Sequence, residues 1–369
     1  MALAGLRYRP FQLRLRTPIE TARAAIEYRA GVVVELTDDS GLRGLGEASP
    51  MPEFDEGDAG DVLRLLEAHA PRIVGGDALP DDLDGPGAAA LRCAVDVALL
   101  DLEARRVGRH VAGLLIEYPR ASVEANAVLG DGPPERVLAQ AREAWDAGFG
   151  TLKMKVAAKR PDDDVRRVRF IRMAMPELRL RLDANGGWDE ATAARTLERL
   201  DGCELELVEQ PVPAGATGEL ARLSRGASCL IAADEGVSSV EDGRALLAAG
   251  AVGALVLKPM RLGGLRPAFG LAREAAAAGV PSVVTTTFDA GIGVAAALHL
   301  AAAVPSVKAL PDPAHGLATA DHLEADIVVD PPRPRDGVLA LPDQPGLGVE
   351  LDMMRLGRAA TGPWVEVGA

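Results

Sequence analysis

Lysine is nearly absent from this chain. Of 40 basic residues only five are lysines, Lys153, Lys155, Lys159, Lys258 and Lys308, and the other 35 are arginines. Arginine serves wherever only positive charge is wanted. A guanidinium keeps its proton, however, while an ammonium can lose one and take it back. A sequence that writes arginine almost everywhere therefore marks its remaining lysines as candidates for acid–base chemistry. Surface solubility accounts for Lys159 and Lys308. It accounts poorly for Lys153-Met154-Lys155, two lysines alternating within an apolar stretch.

Other scarcities exclude whole classes of protein. The three cysteines, Cys93, Cys203 and Cys229, are far apart and form neither a disulfide framework nor a metal-ligand spacing, so they read as small buried hydrophobes. Positive charge is not in excess: the net charge of -14 argues against nucleic acid and anionic membrane as partners, and leaves a small substrate open. No uninterrupted apolar run reaches membrane-spanning length. With no signal peptide and no disulfide pattern, the cytoplasm is the expected location. What remains is a chain of 369 residues, 48% hydrophobic and 25% charged. That is enough for a sizeable core, in two or three domains or in one large barrel with an appended domain.

The first part reads as strands followed by helices, an α+β pattern. Tyr8 to Arg16 alternates, Gly31 to Leu36 is β-branched, and Asp38-Asp39-Ser40-Gly41 supplies a hairpin turn. Asp61–Ala70 and 87–107 carry helical spacing. From Ser122 short β-type runs alternate with alanine-rich helical ones: Val123–Leu129, Thr151–Val156, Leu178–Asp183, Glu206–Glu209, Cys229–Asp234, Ala254–Lys258, Val283–Thr287 and, more weakly, Val307–Leu310. The middle strands end on charged residues 155, 183, 209, 234 and 258, in steps of 28, 26, 25 and 24, one strand–helix unit each. Such regularity favours a (β/α) barrel, whose catalytic groups gather at the C-terminal ends of the strands. An open doubly wound sheet is the alternative, and it would bring only some of these ends to its crevice.

In a barrel Asp183, Glu209 and Asp234 converge on one rim. Three such carboxylates repel one another unless a cation lies among them, and hard oxygen ligands suit Mg²⁺. Lys153 and Lys155, two apart, face the same side of their strand. Lys258 ends a strand roughly opposite. Nearby cations would lower a lysine toward neutrality and make it a usable base, while a metal holding the substrate carboxylate would stabilise an enediolate. The reaction class expected from residue types alone is metal-assisted proton abstraction α to a carboxylate.

The ordered set Lys153-Met154-Lys155, Asp183-Ala184-Asn185-Gly186-Gly187-Trp188, Val208-Glu209-Gln210-Pro211, Ala233-Asp234-Glu235 and Lys258-Pro259 with Gly263-Gly264 resembles the enolase superfamily over nearly the whole chain. The lysine at Lys258 is similar to that of the muconate-lactonising subgroup. The resemblance implies an α/β fold: a modified (β/α)₇β TIM-type barrel at 121–324 under an N-terminal α+β capping domain at 1–120, to which 325–369 contributes. It implies Mg²⁺ on Asp183, Glu209 and Asp234, with Asn185 and Glu235 as polar groups behind them.

Within the subgroup, Thr285 to Gly293 followed by His315-Gly316-Leu317-Ala318-Thr319 is most like o-succinylbenzoate synthases. The Asp-x-Asp pair usual in dipeptide epimerases is replaced by Pro311-Asp312-Pro313. That likeness implies a cytoplasmic carbon–oxygen lyase of menaquinone biosynthesis. Lys155 would remove the α-proton and return it to the departing hydroxyl, Lys258 would stabilise the enediolate from the other face, and Lys153 would assist. Arg181 would contact a substrate carboxylate, Thr287 and Gly316 would bond the succinyl tail, and the segments Thr17–Arg29 and Ala48–Asp55 would close over it. The same lysines would also serve an N-succinylamino acid racemase or dipeptide epimerase. The partner is a small carboxylate in either case, and a homo-oligomer is left open.

Overall fold

The computed structural model describes residues 3–20, 25–52, 55–74, 76, 83–130, 132–158 and 160–368. Lys159 and parts of the two expected closing segments, 21–24 and 53–54, lie outside the described residues.

The chain opens with a meander of β1 (Leu3–Glu20), β2 (Ala25–Asp38) and β3 (Arg43–Ala48). The turn between β2 and β3 is built by Asp38, whose Oδ1 accepts from the backbone N–H groups of Ser40 and Leu42, both at 2.9 Å. Two helices follow, α1 (Ala59–Ile73) and α2 (Ala88–Arg106). The first starts in a capping box of Asp58 and Asp61. Helix α2 is apolar on most of its circumference and lies directly on β3. A Cβ on Gly44 or Gly46 would stand 2.1 Å from Ala98 O or 1.9 Å from Ala94 O, so only glycine permits this approach.

After the short α3 (Ala112–Leu115) and β4 (Ser122–Glu124), the barrel begins. The expected strand Val123–Leu129 is split, with its second half forming β5 (Asn126–Leu129). The chain then repeats strand and helix: α4 (Pro134–Asp146), β6 (Thr151–Lys155), α5 (Pro161–Ala174), β7 (Arg179–Asp183), α6 (Glu190–Arg199), β8 (Leu205–Glu209), α7 (Thr217–Gly226), β9 (Leu230–Ala233), α8 (Val240–Ala248), β10 (Ala254–Leu257), α9 (Pro259–Leu262), α10 (Leu265–Ala277), β11 (Ser282–Val284) and α11 (Gly291–Ala303). Strands β5 to β11 form one parallel sheet in sequence order. Helix starts are encoded locally: Asp189 accepts from Thr192 N at 2.7 Å, Ser239 Oγ accepts from Asp242 N at 3.1 Å, and prolines open α4, α5 and α9.

The ring closes at a place the sequence does not announce. His315 bridges Ala125 and Gly316 bridges Thr285, both in parallel sense, which joins β5 to β11 through a two-residue eighth member. The stretch Val307–Leu310, expected as a weak strand, bridges only within itself. Its Leu310 packs instead on Leu207, Ala232, Ala254, Val256 and Val283 inside the barrel.

The end of the chain returns to the opening sheet. After β12 (Val338–Ala340), which pairs antiparallel with β4, and α12 (Met353–Ala359), strand β13 (Val365–Gly368) adds to the edge of β1. The sheet order is β13-β1-β2-β3. No helix among the described residues is long and apolar enough to cross a membrane.

Candidate active site

The strand register explains why the charged residues meet. Lys155 pairs with Asp183 across β6 and β7, and Asp183 with Glu209 across β7 and β8, so three charged side chains stand on one level of the barrel. Asp234 and Lys258 follow immediately after β9 and β10. These five, with Lys153, Asn185, Glu235, Thr287 and Gly316, line one cavity of about 150 Å³ at the C-terminal ends of the strands. A larger groove of about 990 Å³ runs between Pro50, Pro52, Asp55 and Glu56, the start of α2 and the segment from α8 to α10, but it contains none of the lysine–carboxylate set. Volume alone therefore does not select the site.

Within the cavity the ammonium groups stand between the acids. Lys153 Nζ lies 3.0 Å from Glu209 Oε1 and 3.1 Å from Asp183 Oδ2. Lys155 Nζ lies 2.6 Å from Asp183 Oδ2 and donates to Asn185 Oδ1 at 2.8 Å. Lys258 Nζ lies 2.5 Å from Asp234 Oδ1. Lys155 is the lysine that faces the open space: its side chain is 40% exposed, against 13% for Lys153 and 11% for Lys258. Asn185 passes the contact on, since its Nδ2 donates to Glu235 Oε1 at 2.8 Å.

The electrostatics follow from this packing. Burial and the charge of Asp183 push the Glu209 carboxyl up to about 8, with Asp234 adding to the effect. Burial also works against charge on Asp183, yet Lys153 and Lys155 hold it well below the usual carboxylate range. Asp234 is lowered in the same way, burial being outweighed by Lys258. Lys153 and Lys258 do not show the downward tuning expected of a lysine among cations. Burial pulls Lys153 down, but the fields of Asp183, Glu209 and Asp234 carry it above the ordinary lysine value, and Asp234 does the same for Lys258. With three acids gathered around them, attraction exceeds desolvation.

That balance bears on whether the residues suit a divalent ion. Among the described residues no three potential ligands form a ready metal cluster. The donors are nevertheless hard carboxylate oxygens on neighbouring strands that line one cavity, each now in contact with a lysine ammonium where a cation would be held. Asp183, Glu209 and Asp234 thus fit Mg²⁺.

Arg181 is a correction. It shares a strand face with Asp183 but pairs in register with Lys153, one level deeper. Its side chain is 1% exposed, forms an ion pair with Glu206 and donates to Ala314 O at 2.7 Å. It does not line the cavity and belongs to the barrel wall beneath it. Asp312, in the segment where an epimerase would carry its acidic pair, lies at the surface 3.3 Å from Arg120.

Several residues in the cavity wall or buried directly behind it carry little mark in the sequence that singles them out. Gln210, at φ 41°, accepts through Oε1 from the N–H groups of Asp234 and Gly236, both at 3.0 Å, and so fixes the turn that carries Asp234. Its place in Glu209-Gln210-Pro211 was the only available signal. Asn126, Phe288 and His322 complete the opposite wall, the last two in edge-to-face contact at 5.0 Å.

Comparison with known proteins agrees with this fold. Residues 5–115 match the N-terminal domain model of mandelate racemase / muconate lactonizing enzyme, and residues 136–355 match the enolase C-terminal domain-like model. A chloromuconate cycloisomerase from Cupriavidus necator is 32% identical over 350 residues, covering 91% of this chain and 93% of that one. An o-succinylbenzoate synthase from Thermobifida fusca is 41% identical over 223 residues, covering 60% of this chain and 67% of that one. The solved muconate lactonizing enzyme from Pseudomonas fluorescens, complexed with muconolactone, superposes with a TM-score of 0.87 at 27% identity, covering 97% of this chain and 99% of that one.

Proposed function

Since the chain belongs to the enolase superfamily, with the N- and C-terminal domains of its mandelate racemase and muconate lactonizing enzyme group, we propose that it is a Mg²⁺-dependent o-succinylbenzoate synthase-like dehydratase acting on a cyclohexadiene carboxylate that bears a hydroxyl and a succinyl chain. The observation that carries this reading is the placing of two amines on separate acids of one rim: Lys155 on Asp183 and Lys258 on Asp234. The higher identity along the shorter stretch shared with the Thermobifida fusca synthase supports dehydration over cycloisomerisation.

Lys155, the lysine most open to the cavity, is assigned the base. It takes the proton α to the substrate carboxylate and then delivers it to the departing hydroxyl on the same face; a C–H and a C–O bond break, a C=C bond forms and water leaves. Lys258 stays protonated and faces the charge that develops on the carboxylate. Lys153 holds Asp183 and Glu209 in place through its two contacts. Asn185 orients the Lys155 amine, with Glu235 fixing the other end of its amide. A Mg²⁺ held by Asp183, Glu209 and Asp234 would supply Lewis-acid stabilisation of that charge. Thr287 and Gly316 are assigned to the succinyl end of the cavity.

A spectroscopic dehydration assay with this cyclohexadiene and Mg²⁺ tests the proposal: absorbance change that requires both the protein and the ion supports it. The second reading is a racemase or epimerase in which Lys155 and Lys258 act as opposed acid and base. The presence of both Lys155 and Lys258 along one cavity favours it. Exchange of the α-proton of N-succinylamino acids in deuterated water, with no dehydration of the cyclohexadiene, would reverse the order of the two.

A further inference from the structure

The wall of the cavity facing the acids is the turn 285–290 between β11 and α11, which contributes Thr285 to Phe288. It is a strained turn: Phe288 sits at φ 58°, where a side chain is unfavourable and neighbouring contacts must hold it. Within the turn the Asp289 carboxylate helps, accepting from Thr287 N–H at 3.2 Å. Helix α11 also lacks a cap of its own, because Ala290 at its start has no polar side chain to offer.

The missing partners come from the capping domain. Glu47, on β3, accepts from Ala290 N–H through Oε1 and from Gly293 N–H through Oε2, both at 2.8 Å, and Ser49 Oγ donates to Oε1 at 2.7 Å. Arg29, on β2, donates through Nε to Phe288 O at 3.4 Å and through its other nitrogens to Ser49 O at 2.5 Å and Pro50 O at 3.3 Å. Glu47, Arg29 and Asp289 are 2%, 3% and 3% exposed, so these contacts are made away from water.

We infer that Glu47 and Arg29 are positioning residues through which the capping domain holds the strained turn 285–290 in the shape that bounds the substrate cavity. The functional half of this inference rests on that cavity being the substrate site. Glu47 suits the task because both of its oxygens accept. Gln at this position keeps one acceptor and sets an NH₂ group against the second backbone N–H. Lysine for Arg29 cannot span three carbonyls.

The test compares full-length wild type with Glu47→Gln and Arg29→Lys, all with Mg²⁺. Hydrogen exchange is read by mass spectrometry, Mn²⁺ affinity by titration, and α-proton exchange with N-succinyl-L-phenylalanine as the probe. The expected result is at least tenfold faster exchange at amides 287–293 with β6 to β9 unchanged, Mn²⁺ affinity within twofold, and a KM raised at least tenfold against a kcat within threefold. Unchanged protection at 287–293 in both variants overturns the inference. So does faster exchange throughout the barrel, which would make the pair merely structural. Should Glu47→Gln fail to fold, Arg29→Lys alone supports or overturns the inference by the same two readings. Should wild type neither bind Mn²⁺ nor exchange the probe, the proposed function falls while the exchange pattern still decides the positioning claim.

Discussion

Lys258 Nζ and Asp234 Oδ1 meet at 2.5 Å, with both side chains nearly withdrawn from solvent. The ammonium takes a place beside a carboxylate that also faces Asp183 and Glu209. Breaking a buried pair by removing one partner leaves an uncompensated charge, at a cost of about 3–5 kcal/mol. Lys258→Ala is therefore expected to lower Tm in the absence of metal. Added Mg²⁺ should raise Tm more in the variant than in wild type, because Asp234 then has no competing ammonium beside it. Thermal unfolding with and without Mg²⁺ checks this.

Gln210 holds Asp234 from behind, accepting from its backbone N–H and from that of Gly236. Outer partners of metal ligands commonly contribute about 10–100-fold to affinity. Gln210→Ala is expected to weaken Mn²⁺ binding within that range without loss of fold, as measured by titration and circular dichroism.

The buried ion pair of Arg181 with Glu206 predicts a stability phenotype where a substrate contact would have given a kinetic one. Arg181→Ala should destabilise by about 3–5 kcal/mol. Denaturant unfolding reads that loss directly. A rise in KM with unchanged stability would return Arg181 to the substrate.

How far the site could be read from the sequence follows from the range of each interaction. The strands from β6 to β10 are short runs that end on an acid or a lysine or are followed at once by one, so alternation and spacing identified both the barrel and the residues that share its rim. Alternation gives the face of a strand but not the depth along it, which is why Arg181 was expected at the mouth and lies one level below. The eighth member of the ring, two bridging residues at His315 and Gly316, carries no alternating pattern to find. Gln210 and Glu47 act on residues 24 and 243 positions away, and no local signal marks contacts of that range.

His299 provides a pH prediction. Its Nδ1 accepts from Ala112 N–H at 3.2 Å, so the proton sits on Nε2, which donates to Leu347 O at 3.1 Å. Burial lowers its pKa to about 4, against 6.5 ordinarily. The unfolded chain takes up a second ring proton near 6.5 and the folded one only near 4, so the contribution is complete above 6.5 and is lost as pH falls toward 4. The slope is about 1.4 kcal/mol per pH unit for one such group. His315, lowered to about 3 by burial, acts in the same sense, whereas Glu47, raised to about 7 by burial and Asp289, opposes it. All of these are common to wild type and His299→Gln. The difference between their stability–pH curves from 6.5 to 4 should therefore show the one-proton slope, wild type losing more.

The central claim is that Lys155, beside a divalent ion held by Asp183, Glu209 and Asp234, moves a proton α to a carboxylate. α-Proton exchange followed by NMR in deuterated water, with the cyclohexadiene carboxylate or an N-succinylamino acid, measures that step directly. The account predicts exchange that needs Mg²⁺, stops with a chelator, returns when the ion is restored, and falls by about 10²–10⁴ in Lys155→Arg. Exchange that persists in Lys155→Arg, or that proceeds equally with the chelator present, would contradict it.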